Sequence, residues 1–325
     1  MRVCRTVPHG GCRQPGVVRL WWARGCAWIR RVWEMMKAML LAARPKTLPA
    51  AVVPVWVGGV LAWRMNGTCD SGLLLATLAG AIAIQIATNF FNDAIDARKG
   101  ADTKRRLGPV RVTASGMMSP AAVYGAAGLF LAAAVGCGVV LYQARGWPIV
   151  AIGVPSLFLA YGYTGGPVPL AYRGLGELFV VLFFGLVAVA GTVFIQTGAW
   201  PAAAWLLGWQ TGLLSAVLIS INNLRDREED AGTGKRTLAV RFGPRVALAV
   251  IGLELALPVA SAAGWLACGY GWLALAAAPV ALLGWRILTQ LAKLPPGPAY
   301  NKLLAMAGVQ LLLFAAVFHL AARIG

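Results

Sequence analysis

The sequence is short of acid. Of its 325 residues only 11 are Asp or Glu, against 29 Lys and Arg, and charged residues of both signs make up 12%. Histidine is nearly absent, and His9 and His319 stand alone, which argues against zinc or haem as a bound cofactor. The six cysteines form no C-x-x-C pair and no metal-ligand spacing, so they read as free thiols. No small-x-small cleavage site follows an apolar run near the N-terminus, which speaks against a secretory signal. What the chain has in excess is apolar surface: 59% of residues are hydrophobic and the mean hydropathy is +0.71. A soluble core cannot absorb that much, so the chain belongs in lipid.

The apolar residues form nine continuous stretches, at about 47–65, 72–95, 120–142, 147–164, 176–197, 203–223, 246–268, 271–291 and 302–323. A helix crossing a hydrocarbon core of about 30 Å needs roughly 20 such residues, whereas barrel strands would alternate over about ten. The expected fold is therefore all-α, a polytopic bundle of nine transmembrane helices within residues 39–325. Positive residues stay on the cytoplasmic side of short loops. They crowd the segment up to Lys46, the loop from Arg98 to Arg111 and the loop from Arg225 to Arg245, leaving Arg64, Arg145 and Arg323 opposite. That asymmetry places the N-terminus and both basic loops in the cytoplasm and the bundle in the inner membrane. The net charge of +18 then reflects topology and attraction to anionic headgroups, and nucleic acid is not an expected partner. Residues 1–38 are a basic extension with two open readings: an interfacial helix over Gly16 to Lys37, or translation that begins at Met35, Met36 or Met39.

Seven of the 11 acidic residues lie in two segments: Asp93, Asp96 and Asp102 after the second stretch, and Asp226, Glu228, Glu229 and Asp230 after the sixth. On a helix Asn89, Asn92, Asp93 and Asp96 are spaced i, i+3, i+4 and i+7 and share one face. Asn222, Asp226 and Asp230 make a second stripe with the Asn-x-x-x-Asp spacing repeated, which hints at two related four-helix halves and an added ninth helix. Facing carboxylates repel unless a positive charge sits between them, and carboxylate and carboxamide oxygens are ligands suited to Mg²⁺. Mg²⁺ keeps positions open for phosphate oxygens, and neighbouring cations such as Arg98, Lys99, Arg106, Arg111, Lys235 and Arg236 suit a diphosphate. For either stripe alone, solvated ion pairs at a helix end are the bland alternative; the repeated spacing on one side of the membrane favours a joint site. A transporter is the rival from another class. Its ionisable groups would sit near the midplane, where Glu254 is the one carboxylate available, and a helix–helix hydrogen bond explains that residue.

These two segments resemble the marks of the UbiA-type intramembrane prenyltransferases, an Asn/Asp-rich motif ending the second helix and an Asp-x-x-x-Asp motif ending the sixth. Within that superfamily the chain is most similar to the 1,4-dihydroxy-2-naphthoate polyprenyltransferases of menaquinone biosynthesis. The similarity lies in Ala43-Arg-Pro-Lys-Thr-Leu-Pro49, Asn92-Asp-x-x-Asp96, Arg106-Leu-Gly-Pro-Val-Arg111, Tyr161-x-Tyr-Thr-Gly-Gly-Pro167, Tyr172-Arg-Gly-Leu-Gly-Glu177 and Gly234-Lys-Arg-Thr-Leu-Ala-Val-Arg241. It runs from about Ala43 to the C-terminus.

The resemblance implies transfer of a polyprenyl group from its diphosphate to 1,4-dihydroxy-2-naphthoate with loss of CO₂. It also implies Mg²⁺ held by Asn89, Asn92, Asp93, Asp96, Asn222, Asp226 and Asp230, of which Asn89, Asp93, Asp226 and Asp230 are the expected catalytic groups. Other acceptors, 4-hydroxybenzoate or homogentisate, stay open. For the acceptor's anionic group Arg106 and Arg111 are the candidates, and for a hydroxyl Lys46 or Tyr163. Phe90, Phe91, Tyr161 and Tyr163 are candidates to face an allylic cation, with ordinary packing as the alternative for each.

Overall fold

The computed structural model describes residues 16–101, 107, 108 and 110–324, with side chains described from residue 28 onward apart from residue 29. The elements are α1 (Gly16–Ala43), α2 (Pro49–Asn66), α3 (Ser71–Arg98), α4 (Pro120–Arg145) and α5 (Trp147–Gly162). After them come α6 (Gly176–Thr197), α7 (Ala202–Arg225), the short α8 (Arg227–Gly232), α9 (Leu238–Ala267), α10 (Gly271–Lys293) and α11 (Tyr300–Ile324). The expected helical bundle is there, and each of the nine apolar stretches is a helix.

Not all nine are equally long. Among the described residues seven helices are long and apolar enough to cross a membrane by themselves. An eighth crossing requires α2 to be joined to residues 30–47 across a bend of 53°. The ninth, α5, has only 16 residues, a rise of about 24 Å against a core of about 30 Å. The bend has a local cause. Arg44 has φ 51° and ψ 69°, the one non-glycine residue with positive φ among those described, and Pro45 and Pro49 stop α1 from running into α2.

The other boundaries follow ordinary end chemistry. Asp70 accepts a hydrogen bond from the Leu73 N–H at 2.9 Å and so caps α3, and Ser119 does the same for α4 ahead of Pro120. Between α6 and α7 the backbones touch. Residues 181–187 of α6 form a π-helical segment, and a Cβ placed on Gly212 would lie 2.6 Å from the Val181 carbonyl oxygen. Small residues let helices approach this closely in lipid, where dispersion replaces the hydrophobic drive. One apolar core joins α2, α6, α7 and α11 through Leu61, Val193, Leu207 and Phe318, and another joins α1, α3 and α4 through Ala38, Ala42, Phe90 and Val123. Cys69, Cys137 and Cys268 are free thiols. The packing brings the ends of α3 and α7 to the same end of the bundle.

Candidate active site

At the end of α3, Asn89, Asp93 and Asp96 are all buried, as the helical spacing requires if the stripe faces inward. Their oxygens have distinct partners. Both Asp93 oxygens accept backbone N–H groups, from Val112 at 3.1 Å and Thr113 at 2.8 Å, so the carboxylate pins the segment that follows residue 110. Asp96 accepts from the Tyr172 hydroxyl at 2.9 Å through one oxygen and pairs with Arg111 at 3.0 Å through the other. Asn89 donates to the Ala43 carbonyl and to Thr47 Oγ1, and Asn92 accepts from the Thr164 hydroxyl.

At the end of α7, Arg225 organises the second stripe. It grips both Asp226 oxygens at 2.7 Å, and it also donates to Asn222 Oδ1 at 2.7 Å and Asn301 Oδ1 at 2.6 Å. A bidentate guanidinium on a buried carboxylate is among the stronger pairings a protein makes. Asp230 projects from α8 toward the first stripe. The two stripes meet at Lys235, whose Nζ lies 3.9 Å from Asp96 Oδ2 and 3.9 Å from Asp230 Oδ1. The position between these carboxylates therefore holds a positive charge.

Lys99 and Lys235 flank the ring of Tyr172, at 3.9 Å and 5.7 Å from its centroid. Lys99 also donates to the Thr164 carbonyl at 2.9 Å. Desolvation lowers the Lys99 ammonium from its ordinary value; Lys235 acts in the same sense and Asp96 opposes it. Arg98, Arg236 and Lys46 are exposed at this end. Asp102 and Arg106 lie outside the described residues.

Above the acidic cluster, on the membrane side, is an apolar cavity of about 520 Å³ walled by α2 to α6, with Gln85, Thr88 and Tyr163 among its lining residues. It reaches the lipid-facing surface of α4 and α5, since Val139, Tyr142 and Val154 line it and are exposed. Of the four aromatic candidates only Tyr163 lines this cavity. Phe90 packs against Phe130, and Phe91 packs edge-on to Tyr161 at 5.4 Å. Arg44 was read in the sequence as a topogenic cation and as part of the Ala43–Pro49 stretch that carries the resemblance. Its carbonyl accepts the Thr47 hydroxyl at 2.9 Å, and its left-handed backbone conformation is not legible in a sequence.

The profile of the UbiA prenyltransferase family matches residues 51–321, which is most of the chain. The chain belongs to the UbiA prenyltransferase family. It is 36% identical to the 1,4-dihydroxy-2-naphthoate octaprenyltransferase of Haemophilus influenzae over 71% of this chain and 80% of that protein. It is 39% identical to the enzyme of the same name from Mycobacterium tuberculosis, over 74% of this chain and 82% of that one. Its fold matches a UbiA homolog from Archaeoglobus fulgidus bound to DMAPP and Mg²⁺, with TM-score 0.64 and 15% identity over 88% of this chain and 99% of that one. A UbiA homolog from Aeropyrum pernix superposes with TM-score 0.67 and 18% identity, over 84% and 97% of the two chains.

Mg²⁺ in this UbiA-family chain can be tested against the donor set. Among the described residues no group of three or more His, Cys, Asp and Glu side chains is placed to enclose a metal. Mg²⁺ does not need such a cage, because it commonly takes one or two carboxylates and completes its shell with water and substrate phosphates. Asp96 and Asp230, converging on one cationic position, fit that mode.

Proposed function

We propose that this prenyltransferase moves a polyprenyl group from its diphosphate to 1,4-dihydroxy-2-naphthoate with loss of CO₂, forming a demethylmenaquinone precursor, at the cytoplasmic face of the inner membrane. The observation that carries the reading is the meeting of two acidic helix ends over Lys235, directly beneath an apolar cavity that opens to lipid. The identity to octaprenyltransferases from two unrelated bacteria supports the choice of acceptor.

The division of the site into polar and apolar parts matches the division of the donor. The isoprenoid tail is as apolar as the bilayer and enters the cavity from the side of α4 and α5 without crossing water. Asp96 and Asp230 would hold the Mg²⁺, with the oxygens of Asn89, Asn92, Asp93, Asn222 and Asp226 close by on the same stripes. When bound, Mg²⁺ supplies positive charge to the diphosphate as its bond to the allylic carbon breaks. Lys99, Lys235 and Arg236 place fixed cations where the leaving group gathers negative charge, and preorganised charges of this kind cost no reorganisation during the reaction. The apolar walls keep water from the allylic cation, and Tyr163 offers it a ring face.

Membranes carrying the protein should convert one radiolabelled polyprenyl diphosphate with 1,4-dihydroxy-2-naphthoate and leave 4-hydroxybenzoate and homogentisate unprenylated. Preferential labelling of either benzenoid acceptor would overturn the assignment.

A further inference from the structure

One amide side chain that lines the cavity plays no part in the reading above. Gln85 lies on α3 four residues before Asn89, about 6 Å deeper into the bundle, and its side chain lines the apolar cavity. Only 8% of the residue is accessible. Its Oε1 is buried and has no hydrogen-bond partner.

Donor counting fixes which way the amide points. Thr47 has one hydroxyl proton, and it goes to the Arg44 carbonyl at 2.9 Å. Thr47 Oγ1 can therefore only accept from Asn89 Nδ2 at 3.1 Å and from Gln85 Nε2 at 3.4 Å. The second Gln85 proton faces Asn89 Oδ1 at 3.5 Å. With both N–H groups turned toward Thr47 and Asn89, the carbonyl oxygen is left as an acceptor without a donor. A buried acceptor in that state is costly unless something donates to it.

Of the two substrates, only one can. The isoprenoid tail has no polar hydrogen, and the diphosphate oxygens are acceptors. A hydroxylated aromatic ring brings an O–H donor. We propose that Gln85 Oε1 accepts a hydrogen bond from a ring hydroxyl of the aromatic acceptor, and so sets the position of the ring in the cavity. This rests on the acceptor reading above. It makes Gln85 a specificity-determining residue, because a site built to pair a substrate hydroxyl discriminates strongly against an analogue that lacks it.

The test pairs a side-chain change with a substrate change. Gln85→Leu and the parent protein, in membranes, are assayed with 1,4-dihydroxy-2-naphthoate and with its two mono-O-methyl analogues. The expected result is a fall in kcat/KM for the dihydroxy acceptor of roughly 10- to 100-fold, an unchanged KM for the prenyl diphosphate, and loss of the difference between variant and parent with one of the two methyl ethers. Gln85→Met, which keeps the length of the side chain without its amide, should show the same acceptor-dependent loss and serves where the Leu variant fails to insert. An equal loss with all three acceptors would mean that Gln85 acts only through Asn89 and Thr47, and no loss with any would mean that water satisfies the oxygen; either result overturns the proposal. If the parent protein itself converts none of the three, the acceptor reading fails first and this inference with it.

Discussion

Asp93 offers the sharpest separation between a residue that holds a ligand and one that holds the chain. Its two oxygens accept the N–H groups of Val112 and Thr113, and Val112 is fully buried in the core formed by α1, α3 and α4. In Asp93→Asn the amide keeps its oxygen for one N–H and turns an NH₂ group toward the other. One charge-assisted bond is lost, the second becomes neutral, and a buried donor meets a donor. A bond to a charged group contributes about 1.5–3 kcal/mol and a stranded buried donor costs about 1–3 kcal/mol, so the variant should lose roughly 2.5–6 kcal/mol. For a chain of this size that corresponds to a fall in Tm of about 4–9 °C. The segment after residue 110 carries Arg111, the partner of Asp96, so its release should also expose it to proteolysis. The assay is thermal unfolding in detergent beside limited proteolysis mapped by mass spectrometry. If Asp93→Asn unfolds and is cut like the parent protein while transfer is abolished, the carboxylate serves the ligand and the argument for a loop anchor is wrong.

Asp96→Asn and Asp230→Asn remove charge from the position occupied by Lys235, and each should lower kcat by about 10²–10³-fold while far-ultraviolet circular dichroism stays that of the parent; near-normal turnover in both would dissociate this cluster from the chemistry. Arg225→Met strips the partner from buried Asp226 and from Asn222 and Asn301, a change that should destabilise the protein by about 3–5 kcal/mol, read as a lowered Tm, with an unaltered Tm as the contrary result. Chelation with EDTA should stop transfer and added Mg²⁺ should restore it, and activity that persists in EDTA would remove the divalent ion from the mechanism.

The bundle itself was legible in the sequence because its causes are local. A run of about 20 apolar residues has to be helical in lipid, since no water is present to take up the backbone polar groups, and the nine helices fall on the nine predicted stretches. The first Asn/Asp stripe was legible for the same reason, since a period of 3.6 residues puts Asn89, Asp93 and Asp96 on one face whatever surrounds the helix, but the second is not one helical face: α7 ends at Arg225, Asp226 leaves helical geometry and Asp230 lies on α8. The bend before α2 and the short α5 were less visible, because Arg44 takes its left-handed conformation only in the folded chain.

Side-chain pairing belonged wholly to the tertiary structure. Nothing in the spacing says that Arg225 takes Asp226 out of the stripe, that Arg111 settles on Asp96, or that Lys235 stands between Asp96 and Asp230. Charge interactions fall with distance and with the polarity of the surroundings, and both are set by how α3, α7 and α8 come together. The same holds for Gln85, an unremarkable polar residue in an apolar run until Thr47 and Asn89, from other parts of the fold and the next turn, use up its donors and leave its oxygen without one.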